Sequence, residues 1–269
     1  MPSNEETKPE STALRAFSVL EYVVRAGVPV SLDDATHACN LPKPTVFRIL
    51  AMLQEADLLR REPLSKRYIV GARTSALAID VMQHSTLRTQ CHAVLQELVD
   101  EIGESSNLTM LDGNEVLYID RAETPLPLRL HLEPGTRVPL HCTASGKIFL
   151  SQMSAKQIYR LLGKGPYRRY TDKTITDPHL LEQELKRTKR TLVGTHDSEL
   201  FDASVAVGVP VTDQQGRVYA AVAIHAPTAR MTIESCMTHV PTLRRAAEAI
   251  ASILTPAKGL DRRAPGSRK

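Results

Sequence analysis

Four cysteines in 269 residues, Cys39, Cys91, Cys142 and Cys236, stand far apart with no C-x-x-C pair, so the spacing writes neither a disulfide framework nor a zinc ribbon. Buried thiols in a reducing compartment are the expectation. No long apolar run and no signal peptide appear, which points to a cytoplasmic protein without a membrane partner. Charge is nearly balanced, and a formal +4 is too mild to establish a nucleic-acid partner by itself. A phosphate-binding loop is missing: Gly146-Lys147 has His141 where the earlier glycine belongs and Ile148 where Ser or Thr belongs. No G-x-S-x-G elbow frames Ser145, so a hydrolase triad of Ser145, His225 and Asp197 has no local support, and a helix start explains the serine better. Cys142 beside His141 supplies two neighbours, too few to specify tetrahedral metal ligation. The chain is therefore expected to be no enzyme and to carry no cofactor and no metal.

The length suits two domains, each with its own core. The first is legible between Ser31 and Leu59. Leu32, Ala35 and Cys39 recur at helical spacing, Asn40 supplies a stop, and Val46, Ile49, Leu50 and Leu53 form a second apolar stripe. Ser31 is placed to cap the first helix, with Asp33 and Asp34 adding negative charge at its start. Pro44 suits only the first turn of the second helix, where its missing N–H has no partner to lose. Packing the stripes together leaves Lys43, Thr45, Phe47, Arg48 and Met52 for the outer face, the geometry of a recognition helix in a DNA major groove. Leu58 to Arg61, a turn through Glu62 to Ser65, and Lys66-Arg67-Tyr68-Ile69-Val70-Gly71 read as a hairpin wing. Lys43, Arg48, Arg60, Arg61, Lys66, Arg67 and Arg73 outweigh Glu55, Asp57 and Glu62, and phosphate binding needs such an excess. A helical hairpin with a solvated basic face is the plainer alternative.

Met1 to Ser11 is polar and predicted to be disordered. A helix is predicted from Thr12 to Arg25, with Leu14, Phe17, Val19, Leu20, Val23 and Val24 packing beneath the DNA-reading pair. Arg73 to Gln83 and Leu87 to Ile102 are helical and form a connecting spine. Beyond Ser105 come strands, Asn107 to Leu111 and Val116 to Asp120, about an Asp112-Gly113-Asn114 turn. Helices return at Ala144 to Gln152, Ala155 to Leu162, Pro178 to Arg190, and once more from Ile233 to Leu254. The expected organisation is a tail at 1–11, a DNA-binding domain at 12–72, a linker helix at 73–86, an α+β domain at 87–257 and a basic tail at 258–269.

Two late strands carry the strongest sign of a ligand. From Ser204 to Val211 one face bears Val205, Val207, Val209 and Val211, the other Ser204, Ala206, Gly208 and Pro210. After the Asp213-Gln214-Gln215-Gly216 turn, Val218, Ala220, Val222 and Ile224 alternate with Tyr219, Ala221, Ala223 and His225. A sheet face of Ala, Gly and Ser leaves room for a small-molecule pocket rimmed by His225, unless side chains of a covering helix fill it.

Leu41-Pro42-Lys43-Pro44-Thr45-Val46-Phe47-Arg48-Ile49-Leu50, the wing ending Tyr68-Ile69-Val70-Gly71, Val138 through Lys147, and Val209-Pro210-Val211 through Ala226-Pro227 to Arg230 together resemble the IclR family of transcriptional regulators over nearly the whole chain. The resemblance implies a winged helix-turn-helix, a linker helix and a GAF-like effector-binding domain, α+β overall. It implies homodimers, paired into dimers of dimers, on double-stranded operator DNA near catabolic genes, with an RNA polymerase contact if the protein activates. The residues expected at the duplex are Lys43, Pro44, Thr45, Phe47, Arg48, Arg60, Lys66 and Arg67. Family pocket positions fall on Leu130, Val138, Ala144, Ser145, His196, Ala206, Ala223 and His225. Two departures stand out. Pro44 replaces the family's usual serine, leaving Thr45 for its role, and His196 takes a position that is commonly acidic.

The N–H groups of Ala144 and Ser145 open a helix through Gly146-Lys147, and a helix start attracts a carboxylate. An organic acid is thus the expected effector. The aromatic type, terephthalate or protocatechuate, is favoured over a small keto acid such as pyruvate or glyoxylate, with Leu130 and Val138 sandwiching its apolar body. The effector is expected to shift the arrangement of the dimer, and the linker helix to pass that shift to the recognition helices.

Overall fold

Small polar residues start the first helices and residues at positive φ stop them. Ser11 opens α1 (Thr12–Ala26) by accepting from the Leu14 N–H, and Gly27 closes it at φ 62°. Ser31 and Asp34 exchange hydrogen bonds of 3.1 and 2.9 Å at the head of α2 (Leu32–Cys39), which Asn40 ends at φ 49°. The third helix, α3 (Lys43–Glu55), carries Pro44 in its first turn. The chain is described from a computed structural model covering residues 11–63, 65–84 and 86–254, with 82–84 as backbone only. It divides after Val81 into two compact units. Of the tails expected at 1–11 and 258–269, all but Ser11, which caps α1, lies outside the described residues.

In the first unit β1 (Leu59–Arg61) and β2 (Tyr68–Val70) pair antiparallel as the wing, and Val30 bridges to Tyr68 along its other side. Val19, Ala35, Val46, Leu50 and Leu59 are fully buried where the helices and wing meet. Leu14, Phe17 and Val24, expected in that core, are instead exposed at 55, 60 and 43 %. The reason is helical phase: α1 buries the face of Ala16, Val19 and Val23, and the other three residues point away from it. Gly71 lets the wing's end cross α3's exit, for a Cβ there would lie 2.2 Å from the Asp57 carbonyl oxygen. Beyond it begins α4 (Ala72–His84), held to the first unit by the Thr74 hydroxyl on the Leu58 carbonyl at 2.7 Å.

The second unit runs α5 (Thr86–Ile102), β3 (Ser105–Asp112), β4 (Glu115–Ala122), β5 (Arg137–Pro139), α6 (Ala144–Ser151), α7 (Ala155–Leu162), α8 (Pro178–Thr191), β6 (Gly194–Asp197), β7 (Ser204–Thr212), β8 (Val218–Pro227), α9 (Ile233–Thr238) and α10 (Val240–Leu254). Its strands form one antiparallel sheet ordered β5-β4-β3-β8-β7-β6. Helices α5 and α10 pack on it together, while α6 lies across β3, β4, β6, β7 and β8 with α8 behind it. The short strands β5 and β6 are additions to the sequence expectation. The helix expected from Ile233 to Leu254 is two helices, because Pro241 has no N–H to continue α9, and α10 restarts with that proline in its first turn. No helix among the described residues is long and apolar enough to cross a membrane.

Candidate DNA-reading surface and effector cavity

On α3, Val46, Ile49, Leu50 and Leu53 face the core, so Lys43, Pro44, Phe47, Arg48 and Met52 are exposed and Thr45 is half-buried. Lys43 rests on Asp33 at 2.6 Å, an exposed pair of little worth that leaves its ammonium available. Arg60, Lys66 and Arg67 are exposed on the wing. Arg67 also ties the wing to the start of α2, because its guanidinium donates to the Pro29 carbonyl at 3.2 Å and sits 3.6 Å from Asp34. Arg61 is likewise engaged, donating to the Lys66 carbonyl at 2.8 Å and lying over the Tyr68 ring.

In the second unit the bare sheet face meets α6, and the two outcomes weighed for it divide the face between them. At Gly208 the helix covers it: a Cβ would stand 3.1 Å from that of Ala223 and 3.5 Å from Ile148 Cδ1. Nearer Ala206 and Ala223 the face opens into a cavity, with about 20 Å³ accessible to the centre of a water molecule. Ala144, Ser145, His196, Ala206, Ala223 and His225 line it, six of the positions expected. Leu130 and Val138 do not. Val138 sits in β5 opposite Val116 within the core, and Leu130 packs on that core while its carbonyl accepts from Arg121. Asn107, Thr109, Val116, Tyr118, Thr143, Leu200 and Phe201 complete the wall. Two buried polar side chains at alternate positions of one strand, Asn107 and Thr109, were a legible signal for a wetted face. Leu200 and Phe201 had none, since they enter from the loop between β6 and β7.

Glycines seat the site. A Cβ at Gly146 would lie 2.1 Å from the Leu140 carbonyl oxygen, and one at Gly194 would lie 2.1 Å from that of Ala144. Thr143 caps α6 by accepting from the Gly146 N–H at 3.2 Å, which leaves the Ala144 and Ser145 N–H groups at the helix start beside the cavity. His196 reaches the Cys142 carbonyl through Nδ1 at 3.1 Å and the Ser204 hydroxyl through Nε2 at 3.0 Å. The His225 ring stands edge-on to it, centroids 5.6 Å apart. Burial holds His196 down at about 4. Burial also holds His225 well below its usual range, helped by His196 and Arg121. His225 Nε2 is buried and has no hydrogen-bond partner among the described residues.

Under α6, Lys147 is 1 % exposed and donates to Glu199 and to the Thr195 carbonyl, with Glu184 3.5 Å away. Glu199 belongs to the loop over the cavity, which the Thr171 and Thr174 hydroxyls also fasten by donating to the Ser198 and Glu199 carbonyls at 2.6 Å. Asp197 pairs with Lys173 at 3.0 Å and is not among the residues that line the cavity with Ser145 and His225. Burial pushes the Cys142 thiol up to about 12, the state of an inert structural cysteine.

Residues 12–63 match the IclR helix-turn-helix domain, and residues 79–252 match the C-terminal domain of the bacterial transcriptional regulator IclR. The chain belongs to the IclR family. It is a ligand-responsive, DNA-binding transcriptional regulator, and α2 with α3 is the IclR helix-turn-helix. It is 43 % identical over 238 residues to the Cupriavidus necator protein named probable transcriptional regulator SauR, covering 88 % of this chain and 94 % of that protein. The crystal structure of Thermotoga maritima IclR shares 27 % identity at a TM-score of 0.59, with 90 % of this chain and 98 % of that one covered. An IclR homolog from Microbacterium hydrocarbonoxydans, complexed with 4-hydroxybenzoate, shares the fold at 24 % identity and a TM-score of 0.57, covering 91 % of this chain and 99 % of that one.

Proposed function

We propose that the effector of this IclR regulator is an organic carboxylate whose anionic group rests on the Ala144 and Ser145 N–H groups and whose second polar group meets His225. The observation that carries the reading is the His225 Nε2, a buried polar atom on the cavity wall without a partner among the described residues. A helix start aimed at the same space supplies the complementary charge. Room for a water centre over about 20 Å³ is little more than one water needs. Any organic acid therefore requires the half-buried Leu200 and Phe201 to turn outward, and a short keto acid such as pyruvate or glyoxylate requires least. This reverses the order expected from sequence. An aromatic acid remains the second reading, favoured by the Tyr118 and Phe201 rings on the wall and by the 4-hydroxybenzoate held by a homolog of the same fold.

Within this proposal the regulated genes form a catabolic operon and the chain acts as a homodimer that pairs into a dimer of dimers. The exposed apolar faces of α1 (Leu14, Phe17, Val24) and α4 (Leu77, Val81) suit a second copy. The second unit is read as GAF-like and α4 as the linker.

Thermal-shift titrations of the full chain with pyruvate, glyoxylate, 4-hydroxybenzoate, protocatechuate and terephthalate, with and without operator DNA, test the reading. At least one acid should raise the melting temperature and change operator affinity. His225→Ala should lose that response while keeping operator binding in the absence of acid. No response to any acid, or an unchanged titration in His225→Ala, refutes the assignment.

A further inference from the structure

His196 sits in a hydrogen-bond chain that is one proton short. Its Nδ1 faces the Cys142 carbonyl at 3.1 Å, an obligate acceptor, so that nitrogen carries the proton of the neutral ring. Its Nε2 faces the Ser204 oxygen at 3.0 Å, and that oxygen lies 2.9 Å from the Phe201 carbonyl, a second obligate acceptor. Three links need three protons, and a neutral imidazole plus a hydroxyl supply two. The serine can satisfy the ring or the carbonyl, never both. An imidazolium fills every link: the ring donates at both nitrogens and Ser204 donates to Phe201.

We propose that the effector enters this cavity together with one proton, which His196 takes up, and that this proton completes the chain and fixes the backbone of the covering loop at Phe201. The inference rests on the anionic effector read above. The cavity wall offers an imidazolium too little counter-charge to offset its burial. Facing the site, Lys147 of α6 is balanced by Glu199 of the covering loop and Glu184 of α8, which itself pairs with Arg187. Arg121 of β4 is balanced by Glu123, and Asp197 of β6, whose charge favours the imidazolium but is outweighed by burial, is paired with Lys173. His225 of β8 adds no negative charge. Burial accordingly keeps His196 neutral, and a carboxylate beside it reverses that balance. His225 needs no extra proton, because its neutral ring can donate from Nε2. The room for the ligand comes from the side chains of Leu200 and Phe201, so the loop backbone stays within reach of Ser204.

The test is isothermal titration of the full chain with pyruvate and with protocatechuate, in phosphate and in Tris buffer near neutral pH. The heats should differ between buffers by the amount that uptake of about one proton requires, and affinity should fall about tenfold for each pH unit between the free ring's pKa of about 4 and that of the bound ring, levelling off above the latter. His196→Gln, whose amide cannot titrate, should bind with equal heats in both buffers. In the unmutated chain, the ring nitrogen signals of His196 should move to imidazolium positions at saturation. Binding with equal heats in the unmutated chain, or a His196 ring that stays neutral when saturated, overturns the proposal and leaves the anionic effector standing. Absence of binding by both acids, and by the glyoxylate, 4-hydroxybenzoate and terephthalate of the thermal-shift series, overturns the effector reading and the proton uptake together.

Discussion

Replacing Gly194 by Ala should loosen the second unit at the point where α6 meets β6. The added Cβ would stand 2.1 Å from the Ala144 carbonyl oxygen and 2.9 Å from Ile148 Cγ1. Ordinary contact begins near 3.4 Å, so the first turn of α6 must retreat by about 1.3 Å, from 2.1 to 3.4 Å. The obstacle is backbone and cannot swing aside. Overpacking of this kind costs about 1–3 kcal/mol, which is roughly 5–150-fold in the unfolding equilibrium. Gly208→Ala is the graded comparison, since its Cβ would meet Ala223 Cβ and the Val222 oxygen at 3.1 Å and Ile148 Cδ1 at 3.5 Å, a misfit of a few tenths of an ångström. Urea titrations of the full chain, followed by circular dichroism and by amide exchange in α6 and β6, should rank Gly194→Ala below Gly208→Ala and both below the parent. The same retreat carries Cys142 and Thr143 with the helix, stretching the His196 bond, so acid affinity should fall in Gly194→Ala. Equal stability of the two variants, or the reverse order, would refute the claim that backbone contact seats this helix.

Arg48→Ala should weaken specific operator binding by about 1–3 kcal/mol in a gel-shift titration, as expected for loss of a guanine contact; unchanged affinity removes Arg48 from the reading surface. Lys66→Gln should lower affinity on all sequences and reduce the slope of log affinity against log salt by about 1; a loss confined to the operator contradicts a phosphate role. Lys66 is the cleaner test than Arg67, whose removal would also release the wing from Pro29. Acid should destabilise the second unit through His196, whose pKa is depressed from 6.5 to about 4 on folding. The unfolded chain then binds more protons between those values, so the contribution is complete above pH 6.5 and is lost as pH falls toward 4, at most about 3 kcal/mol. His196→Gln should flatten that part of the urea-midpoint profile, and an unchanged profile would mean His196 does not carry it.

The DNA-reading unit was legible because its signals are local. Caps at Ser31 and Asn40, Pro44 in a first turn and two apolar stripes fix two short helices within thirty residues, and each is where those residues put it. Helix α1 was legible in extent but not in facing, because apolar residues almost surround it and sequence does not say which side a core will use. In the second unit, strand alternation disclosed Ala206, Ala223 and His225. The short strands β5 and β6 escaped because three or four residues carry no period, and each forms only as an edge strand on a longer neighbour, β5 on β4 and β6 on β7. Leu200 and Phe201 escaped for a similar reason: a loop's path depends on its fastenings, here Thr171, Thr174 and Lys147.

Missing side chains serve two purposes on one sheet face, and the first sets the scale of the second. At Gly194 the absence of a Cβ lets the first turn of α6 sit with its backbone nearly on β6, and at Gly208 it leaves room for the Ile148 side chain of that helix, so little depth remains beneath the first turn. At Ala206 and Ala223, where methyl groups remain, that depth becomes a space about one water wide, with the Ala144 and Ser145 N–H groups at its edge. For the organic acid proposed as effector, entry requires Leu200 and Phe201 to turn outward, so binding would select molecules in which those side chains already point that way. Apparent affinity is then reduced by the population of that arrangement. The same displacement gives the acid a differential affinity for two arrangements, without which a ligand shifts no equilibrium however tightly it binds. A roomy, preformed pocket would bind more strongly and signal less.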